Sequence, residues 1–280
     1  MTCISRTSSA AALAALTLIA IAPVGARAAD MPSWPIPALT SSGPMRWDGI
    51  NFGAQFGLSN MHSDFGTSTS SLVAFALRNT EVQDQFAPSN WTALPANTTN
   101  GRQFGAFLGY NWQWDQLVIG LDAAYNVTSL QTSASDTISR QVVTTPDNVN
   151  NAVTITAQSS IKLIDYATVR GRAGYTFGQF LPYAMAGLAV GRFNYANTAT
   201  VQDIGTPPAG SPILPFNTLD VESDSKNNAI VGGALAGLGV DVSIFANVFL
   251  RAEWEYIAFA PVGGIRTNIN SGRVGIGARF

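Results

Sequence analysis

In the stretch Trp47-Asp48-Gly49-Ile50-Asn51-Phe52-Gly53-Ala54-Gln55-Phe56-Gly57-Leu58 the residue character alternates without a break from Ile50 onward. Ile50, Phe52, Ala54, Phe56 and Leu58 fall on one side of an extended backbone, and Asn51, Gly53, Gln55 and Gly57 on the other. A period of two over this length predicts a β-strand with one apolar face and one polar or small face. The pattern recurs in Phe104, Ala106, Leu108, Tyr110 and Trp112, with Phe107 as the exception. It recurs again in Leu117, Ile119, Leu121, Ala123, Tyr125 and Val127. Val169, Ala173 and Tyr175 alternate with Thr168, Arg170, Arg172 and Gly174. Leu250, Ala252, Trp254 and Tyr256 alternate with Arg251, Glu253 and Glu255. The chain closes on Val274, Ile276, Ala278 and Phe280 against Arg273, Gly275, Gly277 and Arg279.

Two regions are less regular. Leu181 to Phe193 is small or apolar on both faces. Ala229 to Leu250 is long, apolar and broken only by Asp241, Ser243 and Asn247, so a membrane helix has to be weighed. Gly232, Gly233, Gly237 and Gly239 argue against it, since each glycine costs a helix interior about 1 kcal/mol. Leu238, Val240 and Val242 alternate with Gly239 and Asp241, which predicts a strand, a turn near Phe245 to Val248, and another strand.

The polar faces decide what surrounds these strands. They carry Asp122, Arg170, Arg172, Asp241, Arg251, Glu253 and Glu255 among glycines. A solvated face would be richer in Lys, yet the chain has only Lys162 and Lys226, and charged residues make up 11% of it. A transmembrane barrel reverses the usual arrangement: the apolar face meets lipid and the polar face lines the lumen. Such a sheet must close, because an open edge would leave backbone groups unsatisfied in hydrocarbon.

Spacing supports closure. Short turns are predicted near residues 114, 179 and 247, and longer polar segments at roughly 60–100, 130–160 and 197–227, with a short one near 261–267. The prediction is an all-β, eight-stranded antiparallel up-and-down barrel over residues 47–280, with short periplasmic turns and long extracellular loops. Trp47, Trp112, Trp114, Tyr175, Phe177, Phe180, Phe245, Phe249 and Phe280 lie at the short turns or chain ends and are expected as a periplasmic aromatic girdle. Tyr125, Tyr166, Phe193, Tyr195, Tyr256 and Phe259 are expected as the opposite girdle.

The first 28 residues read as an export signal. Arg6 precedes a short apolar run, Ala10 to Ala22, and Ala26-Arg27-Ala28 fits a small-x-small cleavage site, with a cut after Ala29 as the alternative. Cleavage would remove the single cysteine, Cys3, and with it any disulfide or thiol chemistry. Residues 29–46, with Pro32, Pro35, Pro37 and Pro44, read as an extended periplasmic linker.

Taken together, Val169-Arg170-Gly171-Arg172-Ala173-Gly174-Tyr175, Leu181-Pro182-Tyr183, Gly237-Leu238-Gly239-Val240-Asp241, Ala252-Glu253-Trp254-Glu255-Tyr256 and the closing Val274 to Phe280 resemble a known family. The resemblance is to the porin-like outer-membrane β-barrel proteins of the OmpA-like and opacity-protein group, particularly small surface antigens of α-proteobacteria. It implies an eight-stranded barrel in the outer membrane, and it implies that the terminal aromatic, Phe280, is an assembly signal for the barrel-assembly machinery. The chain departs from that group in its longer first three loops and its Pro-rich leader.

Catalytic patterns are weak. His62 is the only histidine, and His62-Ser63-Asp64 places neighbours in sequence where a triad needs partners in space. One histidine and no mature cysteine cannot build a zinc site, and no cofactor motif is present. Glu253 and Glu255 share a strand face and could serve glycoside hydrolysis. Pairing with inward arginines is the simpler reading. Five inward cations (Arg170, Arg172, Arg251, Arg273, Arg279) face four inward acids (Asp122, Asp241, Glu253, Glu255) in a lumen only wide enough for its own side chains. Gly101, Gly105 and Gly109 share one face and would relieve crowding there. A net charge of −2 offers no nucleic-acid surface. The expected function is a closed barrel with a structural and surface-display role, partnered by outer-membrane lipid and lipopolysaccharide. The alternatives are a narrow porin and, more distantly, an outer-membrane hydrolase or acyltransferase.

Overall fold

A computed structural model describes residues 45–92 and 94–280. The export signal and the Pro-rich linker up to residue 44 lie outside the described residues. Among the described residues, eight antiparallel strands close into a barrel in chain order. They are β1 (Gly49–Asp64), β2 (Asn97–Trp114), β3 (Leu117–Val143), β4 (Asn150–Tyr175), β5 (Phe180–Thr206), β6 (Phe216–Ser243), β7 (Val248–Phe259) and β8 (Arg266–Arg279). The seam between β1 and β8 is paired from Asn51↔Arg279 to Asp64↔Arg266. The 229–250 region is strand, turn and strand, as the alternating glycines require.

The apolar parity faces outward. Phe52, Leu58, Phe104, Leu108, Leu121, Val169, Leu188, Leu238, Trp254 and Val274 are all exposed. Apolar area costs roughly 25 cal/mol per Å² in water, so a wall this continuous is stable only against hydrocarbon. Refolding into detergent micelles is therefore expected to give a β-dominated circular-dichroism spectrum and heat-modifiable gel migration. A predominantly helical spectrum would contradict the barrel.

The long polar segments differ from the loops that the sequence suggested. Residues 130–160 and 197–227 are mostly strand: β3 to β6 continue far beyond the apolar wall as a four-stranded extracellular sheet. Their outward rows hold Ser, Thr and Gln, and the hairpins between them span only 144–149 and 207–215. Register shifts lie at one level, between Val127 and Leu130, Leu163 and Asp165, and Phe193 and Tyr195. On β4 the shift changes the inward parity. Arg170, Thr168 and Tyr166 point in below it, and Leu163, Ile161, Ile155 and Val153 above it. One extra residue thus swaps a polar lining for an apolar one.

The first long segment folds instead of looping. Helices α1 (Ser70–Ala76) and α2 (Glu81–Phe86) cross it. Thr80 caps α2 by accepting from the Gln83 backbone N–H, Glu81 and Asp84 suit the first turn, and Ala87 in a left-handed conformation ends the helix before Pro88. Val73, Leu77 and Val82 pack on Val153, Ile155, Ala199 and Val201 of the extracellular sheet. Asp203, buried in that sheet, has its carboxyl pushed up by desolvation.

Candidate functional site

The lumen is filled in layers. At the periplasmic end Trp47, Phe107, Val118, Leu181, Tyr183 and Phe249 form an apolar base. Trp47 and Phe249 were expected in the lipid-facing girdle, and here the structure corrects the sequence reading. Both are buried, with Trp47 edge-on to Phe249 at 6.0 Å between ring centroids. Trp112, Trp114, Tyr175, Phe177, Phe180, Phe245 and Phe280 do point outward.

Above the base lies the ion layer. Arg170 on β4 reaches across to Glu253 (3.0 Å) and Glu255 (3.2 Å) on β7, with Asp122 at 3.7 Å. Arg172 bonds Asp241 at 2.9 Å and lies 3.7 Å from Asp122. Arg251 bonds Asp241 at 2.9 Å and Asp122 at 3.0 Å. Arg273 holds Glu253 at 2.9 Å and Glu255 at 2.7 Å. All eight side chains are essentially buried. Every acid meets at least two guanidinium groups, and the four cations match the four acids in charge.

Arg279, counted with them from the sequence, lies apart. Its guanidinium donates to Ser243 Oγ and the Ala246 carbonyl and sits 4.5 Å from the Trp47 ring. It is the last residue of β8, below the reach of the acids, and it ties the base of the barrel to the β6–β7 turn.

Neutral groups missed in the sequence complete the layer. Asn111 Oδ1 accepts from Arg172 Nε (3.0 Å) and Nη2 (2.6 Å). Tyr183 Oη donates to Glu253 (2.8 Å) and Asp241 (3.2 Å), and Tyr166 Oη donates to Gln103 (2.6 Å). Arg251 stacks over Phe107 at 4.0 Å, joining ions to base. Asn111 lay on the polar parity and was findable; Tyr183 was hidden in a segment apolar on both faces.

Lumen glycines make the room. A Cβ on Gly120 would stand 2.9 Å from Arg172 Nε, and one on Gly57 would stand 2.7 Å from Arg273 Cγ. Neither strand could carry a side chain there without displacing an arginine of the ion layer.

An apolar layer lies over the ions. Met61, Leu130, Leu163, Phe193, Ile257 and Ile269 are central to it, with Phe65 and Ile265 from the segments above. Tyr166, Phe193 and Phe259, expected in the outer girdle, are buried here. Tyr125 faces outward, and Tyr195 and Tyr256 are half-buried. His62 is on β1 and faces outward, with its Nδ1 3.0 Å from Thr98 Oγ1. Glu253 lies within 4.0 Å of three arginines and Glu255 of two, so the two carboxylates serve as ion-pair partners and are not set out as an acid–base pair.

The sequence model of the outer membrane protein beta-barrel domain family matches residues 12–280. The chain is 25% identical over 182 residues to a 22 kDa outer membrane protein of Rhizobium leguminosarum bv. viciae, covering 62% of this chain and 64% of that one. It is 24% identical over 201 residues to a 25 kDa outer-membrane immunogenic protein of Brucella ovis, covering 72% and 69%. Among solved structures it is similar to OprG of Pseudomonas aeruginosa (12% identity, 83% and 97% covered, TM-score 0.36). It is also similar to Ail of Yersinia pestis (12%, 83% and 99%, TM-score 0.34). With a lipid-facing barrel and a family match over nearly its whole length, the chain belongs to the outer-membrane β-barrel domain family.

Proposed function

We propose that this outer-membrane barrel is closed and non-enzymatic, and that it supports the envelope while holding a folded cap at the cell surface. The observation that carries this reading is the order of layers. An apolar layer lies directly over a charge-balanced ion layer, which rests on an aromatic base. A permeating ion would have to leave water twice, at several kcal/mol each time, and break buried pairs between. The four-stranded extension and its helices are what such an anchor would present. Lipid and lipopolysaccharide are the partners of its wall, and the barrel-assembly machinery is the partner of its insertion.

A narrow porin is the second reading. It is favoured by one feature: Asn51, Gln103 and Asn126 carry buried amide atoms without partners along the β1–β3 wall. Single-channel recording separates the two. The purified protein in a planar bilayer is expected to show no stepwise current above the lipid baseline. Regular conductance steps would put the porin reading first.

A further inference from the structure

Where β7, β8, β1 and β2 adjoin, the outer wall departs from a plain lipid-facing surface. Register sets the rows. Leu58 stands between Arg102 and Gly272, and Gly272 beside Trp254. One step outward, Asn60 stands between Asn100 and Asn270, with an amide bond of 2.8 Å from Asn60 to Asn100. These residues line a groove of about 490 Å³. Directly below it, sharing Leu58, Trp254 and Gly272, a second groove of about 650 Å³ runs down the wall past Phe56, Leu238 and Ala252. Gly272 is the joint between them: a Cβ there would meet nothing within 4 Å.

The two grooves differ in chemistry. The upper one is lined by asparagine amides, Trp254 and the exposed Arg102, with no carboxylate. Arg102 belongs to no ion pair among the described residues, whereas the outward Arg192 of β5 is paired with Asp165. The lower one is apolar on its lipid side, with Phe56, Leu58, Leu238, Trp254 and Val274 exposed. Height agrees with this division. From Ile50 to Asn60 a strand tilted about 40° climbs roughly 25 Å, the height of the apolar band. Arg102 and the asparagine row therefore stand at headgroup level.

Resting on the reading above that the wall meets lipopolysaccharide, we propose that it binds one such outer-leaflet amphiphile, with an anionic, sugar-based headgroup, at this defined site. The Arg102 guanidinium donates to the anionic group, the asparagine row and Trp254 meet the sugar, and an acyl chain lies over Gly272 in the lower groove. Charge complementarity above and a continuous apolar trough below select an amphiphile over a free anion or a neutral detergent.

Native mass spectrometry of the full chain, released from micelles containing diphosphorylated, hexa-acylated lipid A, tests this. The wild type is expected to retain one lipid A, and to retain the dephosphorylated form about tenfold less. Arg102→Ala should bring the intact lipid down to that same level. Gly272→Leu, which fills the joint, should lower retention of both forms. Both positions point away from the lumen, and heat-modifiable migration verifies folding. Equal retention of the phosphorylated and dephosphorylated forms by the wild type would overturn the proposal without recourse to any variant. Complete displacement of lipid A by inorganic phosphate would overturn it too, since the acyl trough would then contribute nothing.

Discussion

Arg170→Ala is expected to destabilise the barrel by about 3–5 kcal/mol, because truncating one member of a buried ion cluster leaves the others uncompensated. Arg170 is among the largest fully buried side chains, and it faces three of the four acids of the layer. Its loss leaves three cations for four acids. Glu255 suffers most, since its remaining cation is Arg273, which already serves Glu253. A double-mutant cycle isolates this coupling. Adding Glu255→Gln restores the charge balance, so the double variant should recover roughly 1–3 kcal/mol relative to the sum of the single changes. Urea unfolding of protein refolded in micelles measures all three. Strictly additive losses would mean that the charges are individually hydrated, and the porin reading would gain. The apolar layer above is untouched by Arg170→Ala, so the variant should lose stability without gaining conductance.

How much of this was legible in the sequence depends on which signal was followed. Alternation placed Arg170, Arg172, Arg251, Glu253, Glu255 and Arg273 on the inner face, where the structure has them. The same parity puts Phe249 on the side of Arg251. The preference of aromatic rings for membrane interfaces pointed the other way, and packing within a narrow lumen won. Arg279 also has the inward parity, but parity says nothing of height, and at the foot of the barrel backbone and hydroxyl oxygens replace carboxylates. The apolar layer was present in the pattern too, since Ile257 and Ile269 continue the inward rows of Glu255 and Ser271. The extracellular sheet was the least visible part. Its strands carry Ser, Thr, Asn and Gln outward, a composition that loops share. The parity change on β4 at Leu163 to Asp165 conceals the single inward row that a period of two would otherwise reveal. Helix α1 has no acid in its first turn and no base in its last, and its Thr69 cap position lies in a Ser/Thr run that a loop would share.

Deletion of Phe280 is expected to reduce insertion into the outer membrane severalfold, and Phe280→Ala should do nearly the same. Two physical contributions can be separated at this residue. Its backbone closes the seam: Ile50 N–H donates to the Phe280 carbonyl at 3.0 Å, and Phe280 N–H donates to the Ile50 carbonyl at 2.9 Å. Its ring is exposed to lipid and stacks on Phe52 at 5.8 Å with planes 7° apart. Deletion removes both contributions, whereas alanine keeps the backbone bonds and loses only the ring. An aromatic pair contributes about 0.5–1.5 kcal/mol beyond its buried area, too little to unfold a closed barrel. Refolding of Phe280→Ala into micelles should therefore proceed with only that small loss of stability. A severalfold fall of insertion in cells alongside near-normal refolding in micelles would assign the ring to recognition by the assembly machinery. Equal impairment in both settings would assign it to seam closure alone. Undiminished insertion of the alanine variant at low expression would remove the Phe280 ring from assembly and leave only its backbone bonds to the seam.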